Sequence, residues 1–312
     1  ALSSRPTSIN SLGDLDSYQL WVMSSLAIYG RFWCLHQAVP FVDKMLGLAG
    51  AMDNRPLGHT DFLFRVPILF LAFIFPRTNI LMVAHVVNIV SWAFWMPYVW
   101  DYMCWCALLE IVFVVAALAG GGDEKVAQRF VPACRASLII LYFSAAFWKL
   151  TSSWFDLRSS CAAILMSELL SSNLFPPGPE MFYDIMMKLS PLLAAGLVFV
   201  VPIVLWLCPR FGVPIALIFH QTINLMPMTY AGGFSIAMCA RMHLFIPRLF
   251  PDGSSWLLPS ALAALILAVM VTVHNGRLDS AGTAFLLFTM VYARAVLHPG
   301  KEGYYAPVKE RG

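Results

Sequence analysis

Charge is what this chain of 312 residues has least of: Asp, Glu, Lys and Arg together make up 12% of it. A soluble globular domain carries about 25%. With so little charge the apolar atoms cannot be covered by polar surface, which excludes an ordinary water-soluble enzyme and a disordered protein alike. Basic residues outnumber acidic ones by a formal +3 over the whole length. No basic patch forms, so nucleic acid is excluded as a partner bound by phosphate neutralisation.

Other absences narrow the chemistry. The seven cysteines (Cys34, Cys104, Cys106, Cys134, Cys161, Cys208 and Cys239) are odd in number, contain no Cys-x-x-Cys pair and lie mostly in apolar runs. That pattern opposes a disulfide framework and a zinc site, and no metal is expected. The chain has no His-Glu-x-x-His, no Gly-x-Ser-x-Gly and no phosphate-binding glycine loop. Gly120-Gly121-Gly122 is followed by Asp123-Glu124, which would repel phosphate, and reads as a turn. No internal repeat appears, and no connection between apolar runs is long enough for a soluble domain. Residues 1–312 read as a single membrane domain.

What the chain does have is apolar length. Hydrophobic residues make up 60% of it and the mean hydropathy is +0.74. A helix needs about 20 apolar residues to cross a bilayer. By that rule spans fall near 20–39, 62–76, 79–97, 103–120, 130–150, 190–208, 212–230, 233–247, 256–273 and 281–297, with 62–76 and 233–247 short. The expected fold is all-α: a polytopic integral membrane bundle of about 8–10 transmembrane helices. Barrel strands are disfavoured because the runs do not alternate with period two. Pro67, Pro202, Pro214 and Pro259 lie inside spans, which membrane helices tolerate when neighbours satisfy the freed carbonyls. Between Thr151 and Ser190 the segment 160–170 has helical character and a polar stripe, the pattern of an amphipathic helix lying in the interface.

With ten spans, Arg5, Arg77, Lys125, Arg129, Arg210 and the basic C-terminal tail share one side, against fewer basic residues on the other. The positive-inside rule places both termini on the cytosolic, stromal or matrix side. The opening Ala1-Leu2-Ser3-Ser4-Arg5 has no initiator Met: either a targeting segment has been removed, as its Ser-rich character would suit in an organellar protein, or the numbering begins within the chain.

Five residues are candidates for a site. Lys149 ends an apolar run between Trp148 and Trp154, on a helical face with Tyr142, Ala145 and Ala146. A buried lysine is suited to act as a general base, whereas a lysine at a span end snorkels to the headgroups. Glu110 sits about 10 Å inside its span, where a carboxyl must be protonated or paired. The direction of span 212–230 puts Asn224 at a similar depth, with His220 one turn away. A Glu110–Asn224–Lys149 cluster is therefore geometrically possible, and so is plain interhelical hydrogen bonding. His85 with Asn88, His36 with Arg31, and Arg241 with His243 are further membrane-embedded polar groups. They suit a packing partner, a lipid headgroup or, at a histidine, a tetrapyrrole pigment.

Two blocks resemble a known family. Tyr142-Phe143 … Lys149-Leu150 … Trp154 is similar to the Tyr-Phe … Lys-Lys-Leu … Trp signature of the vitamin K-dependent γ-glutamyl carboxylase membrane domain. Phe219-His220 with Asn224, then Phe234-Ser235-Ile236-Ala237-Met238, resembles that family's Phe-His-x-x-Asn … Phe-Ser-Ile-Gly-Met stretch. The broader grouping is the horizontally transferred transmembrane domain family, and the likeness extends over about residues 20–250. It implies that Lys149 acts as the base on a quinone-like or isoprenoid lipid and that His220 or Asn224 donates a hydrogen bond. The first lysine of the pair is Trp148 here, the His-to-Asn spacing is one residue longer, and the large extramembrane domain that holds a protein substrate is absent.

Two functions follow as expectations. One is a non-catalytic accessory subunit that packs against lipids and other membrane subunits in a larger organellar complex. The other is a membrane enzyme or binder of a quinone-like or isoprenoid ligand. Transport is least supported, for want of repeats and paired broken helices.

Overall fold

The computed structural model describes residues 26–27, 29–38, 61–95, 101–171, 178–224 and 232–245; among these the secondary structure is helical, with no strand. The expected spans 256–273 and 281–297 lie outside the described residues. Residues 29–38 are helical and are called α1. A π-helical turn, Asp61–Arg65, leads into α2 (Val66–Ile74), whose first turn holds a proline where no backbone donor is needed. Then follow α3 (Thr78–Trp95), α4 (Asp101–Leu118), α5 (Gly122–Trp148) and a single turn, α6 (Ser152–Phe155). The series closes with α7 (Cys161–Ser171), α8 (Glu180–Leu207), α9 (Pro209–Asn224), α10 (Gly232–Met242) and a 3-10 turn, His243–Phe245.

Among the described residues two helices, α5 and α8, are long and apolar enough to cross a membrane. Shorter apolar stretches are Leu63–Ile74, Thr78–Phe94, Met103–Leu118, Cys161–Ser171 and Phe211–His220. α5 and α8 each begin well before the apolar runs that mark them in the sequence. Charged residues lie in these early parts: Asp123 and Glu124 favour the positive end of α5, and on α8 Glu180 stands in the first turn while Asp184 pairs with Lys188 at 2.7 Å further along. A hydropathy window sees none of this.

Sequential helices pack side by side, α3 on α4, α4 on α5, α5 on α8, α8 on α9 and α9 on α10. α10 then returns to α4, and the 3-10 turn touches α5 and α9. The interior where these meet is apolar and aromatic, with Leu26, Tyr29, Phe113, Phe130 and Leu138 all buried. α7 packs on α8 through Ala162, Ala163, Leu169 and Leu170.

Local chemistry explains the joints. Gly120, Gly121 and Gly122 take φ of 72°, 99° and 78°, a left-handed run that side chains resist. Arg129 Nη1 donates to the Gly120 carbonyl at 2.7 Å and so caps the end of α4. At Pro191 the missing N–H frees the Met187 carbonyl, and the Ser190 hydroxyl donates to it at 2.9 Å. The Pro191 carbonyl in turn accepts the Trp154 indole N–H at 2.9 Å.

The Thr78 backbone N–H, an orphan donor at the start of α3, is satisfied from α5: it donates to Asp123 Oδ1 at 3.0 Å, while Arg77 lies 3.3 Å from Oδ2. Asp123→Ala is expected to cost about 1 kcal/mol. Most of that loss should be insensitive to salt, since the exposed ion pair contributes little. Thermal unfolding of both proteins at two ionic strengths checks this.

Candidate functional site

The most buried carboxyl among the described residues belongs to Glu110, halfway along α4 and 0% exposed. Two donor groups meet it in three hydrogen bonds: Trp33 Nε1 reaches Oε1 at 2.9 Å from α1, and Asn88 Nδ2 reaches both Oε1 and Oε2 at 2.9 Å from α3. Asn88 sits near the middle of α3, so two adjacent helices present these groups at the same level. His85, one turn before Asn88, packs its ring against Trp33 with centroids 4.0 Å apart. Its Nε2 lies 3.4 Å from the Tyr29 hydroxyl. Tyr29 stacks on Phe113 and tilts against Phe130. α1 is thus locked between α3, α4 and α5 by an indole, a phenol and a carboxylate.

Around this centre lie further buried polar groups. Gln37 Oε1 accepts from Arg65 Nη2 at 2.9 Å and joins α1 to the π turn. The His243 imidazole N–H donates to the Ala240 carbonyl at 2.8 Å, and its ring stacks on Phe32. Arg135 on α5 donates to the Leu244 carbonyl. Arg241, 1% exposed, donates through Nη1 to the Ala237 carbonyl at 2.7 Å.

A second polar pair lies between α5 and α9. The Tyr142 hydroxyl and His220 Nε2 are 2.5 Å apart, both residues buried. Phe219 and Phe234 meet the His220 ring edge-on, with centroids at 5.1 and 5.2 Å. His220 Nδ1 and Ser235 Oγ have no hydrogen-bond partner among the described residues. Tyr142→Phe leaves the imidazole acceptor unmet and is expected to cost about 1–2 kcal/mol. A double-mutant cycle with His220→Phe, read by thermal unfolding, should return most of that as coupling.

Lys149 is the C-cap of α5. Its Nζ donates to the Ala145 carbonyl at 3.2 Å and lies 4.9 Å from the centroid of the Trp154 ring. None of the hydrogen bonds made by Glu110, Tyr142 or His220 goes to it. Asn224 ends α9, and its side chain lies outside the described residues. Of the five candidates the structure therefore joins Tyr142 to His220 and leaves Glu110 bonded elsewhere. Trp33 and Tyr29 are the partners that the sequence reading missed. The polar pair His85 and Asn88 at helical spacing inside an apolar run was the signal for Glu110, and matching midpoints of α3 and α4 would have located it.

All seven cysteines are free. Among the described residues no three His, Cys, Asp or Glu side chains gather as metal ligands do.

No family model matches the chain, and neither does any curated protein or solved structure.

Proposed function

We propose that this chain is a multi-pass integral membrane protein and serves as a non-catalytic subunit of a larger organellar membrane assembly. The observation that carries the membrane reading is the inverted distribution of polarity. Glu110, Arg241, His85, Asn88 and His220 are buried, while Phe94 is 84% exposed, Trp148 79% and Leu207 72%. In water that surface would be an aggregation hazard; against lipid or a partner subunit it is the stable arrangement. The basic residues bias both termini to the cytosolic, stromal or matrix side. Alkaline carbonate should leave the protein in the membrane pellet, and its release into the supernatant would overturn this reading.

The subunit reading is supported by how the polar groups are used. The hydrogen bonds of Glu110 and Tyr142 join helices to one another, and Lys149 caps a helix end against Trp154. Purification from the native membrane in mild detergent, followed by native mass spectrometry, should show stoichiometric partner subunits. A lone chain carrying a bound quinone or isoprenoid would sink the proposal.

One observation favours the second reading, a binder of a quinone-like or isoprenoid ligand. Tyr142, His220 and Phe234 come from the two blocks that resemble the carboxylase membrane domain, and they meet in space. On that reading Lys149 is the base and Tyr142 with His220 orient the ligand. Lipid extraction of the same sample decides: Lys149→Ala should then abolish turnover of the extracted ligand.

A further inference from the structure

Arg241 is the buried cation whose hydrogen bonding is incomplete. Nη1 reaches the Ala237 carbonyl, but Nε and Nη2 have no partner among the described residues although the side chain is 1% exposed. Tyr29, Cys106, Cys134 and Glu110 all lie within electrostatic reach of the guanidinium. None of them neutralises it by contact. The ion pairs found among the described residues are Arg77 with Asp123 and Lys188 with Asp184. Glu110 has its oxygens occupied by Trp33 and Asn88.

An interior arginine in an apolar bundle is kept by pairing, because a bare guanidinium there is strongly disfavoured. The part of Arg241 left over is its Nε–Nη2 edge. That edge carries two parallel N–H bonds at the spacing of two oxygens on one carboxylate or phosphate. Unmet acceptors would have suggested a cation or a donor ligand; unmet charged donors call for an oxyanion. One guanidinium charge is balanced by a single negative charge on the occupant.

We propose that the Nε–Nη2 edge of Arg241 is a buried binding site for one monoanionic oxyanion. The shared chemistry is a carboxylate or singly charged phosphate, borne either on an apolar tail or as a free ion. The site is separate from the Tyr142–His220 pair and from Lys149.

The test uses the full chain, delipidated in an uncharged detergent, with unfolding followed by tryptophan fluorescence. The probes are decanoate, acetate and inorganic phosphate, with decanol as the uncharged control. Decanoate should raise the unfolding midpoint saturably, and decanol should not. A shift from acetate or phosphate as well assigns a free oxyanion, and a shift from decanoate alone assigns a tail-borne one. Arg241→Gln should abolish the saturable shift, and Arg241→Lys should weaken binding at least tenfold, because a point charge replaces the fork. No saturable shift with any anion, or an equal shift in Arg241→Gln, overturns the proposal. If Arg241→Gln does not fold, competition on the unaltered protein decides. Acetate or unlabelled decanoate should displace 13C-decanoate where decanol does not, and displacement by decanol would overturn the site.

Discussion

Glu110→Leu is expected to lower the stability of the bundle by about 2–5 kcal/mol, because two buried donors lose their acceptor at once. The Trp33 indole N–H and the Asn88 amide have no water to turn to at the centre of α1, α3 and α4. The unfolding midpoint in detergent should fall by roughly 10 °C. Glu110→Gln keeps one carbonyl oxygen of the same shape and should lose less than half as much. Combining Glu110→Leu with Asn88→Leu should recover part of the loss, since a missing pair costs less than an orphan. Equal stability of Glu110→Leu and the unaltered protein would mean that these bonds contribute nothing.

Gly212→Ala is expected to be as damaging for a different reason. A Cβ at Gly212 would lie 2.5 Å from the Leu205 nitrogen and 2.6 Å from its Cα, and 2.8 Å from the Val204 carbonyl carbon. These are backbone atoms of α8, so no rotamer change relieves the clash and the two helices must separate. The expected loss is about 3 kcal/mol. Gly196→Ala is the matched control within α8: a Cβ there meets nothing within 4 Å. Removing that glycine's extra freedom should stabilise by about 0.5–1 kcal/mol. Unfolding midpoints of the two variants moving in opposite directions would establish close backbone approach as the cause. Similar losses in both would refute it.

Among the described residues, apolar length marks the helices that form, and the Gly120–Gly122 turn read from the sequence separates α4 from α5. The first ten residues of α8 and the first eight of α5 lie outside the apolar runs because Glu180, Asp184 and Lys188, and Asp123, Glu124, Lys125 and Arg129, lower the hydropathy there. The segment 160–170 was read as a helix and is one, α7. The site was only half legible. Counting residues places Glu110 in the middle of its apolar run, and in the structure it is buried midway along α4. Which helix faces it does not follow, since α1 reaches Glu110 through an indole that reads as ordinary apolar filling. Tyr142 and His220 meet across 78 residues; both are candidates in the sequence, but neither spacing nor the family resemblance pairs them.

A single residue, Cys208, separates α8 from α9, and the two helices pack on each other. A one-residue corner leaves no room for a loop, so the end of α8 and the start of α9 stay together whatever surrounds them. On the proposed membrane reading the two helices would enter the bilayer as one hairpin, and the sidedness of their outer ends would be set relative to each other by that corner.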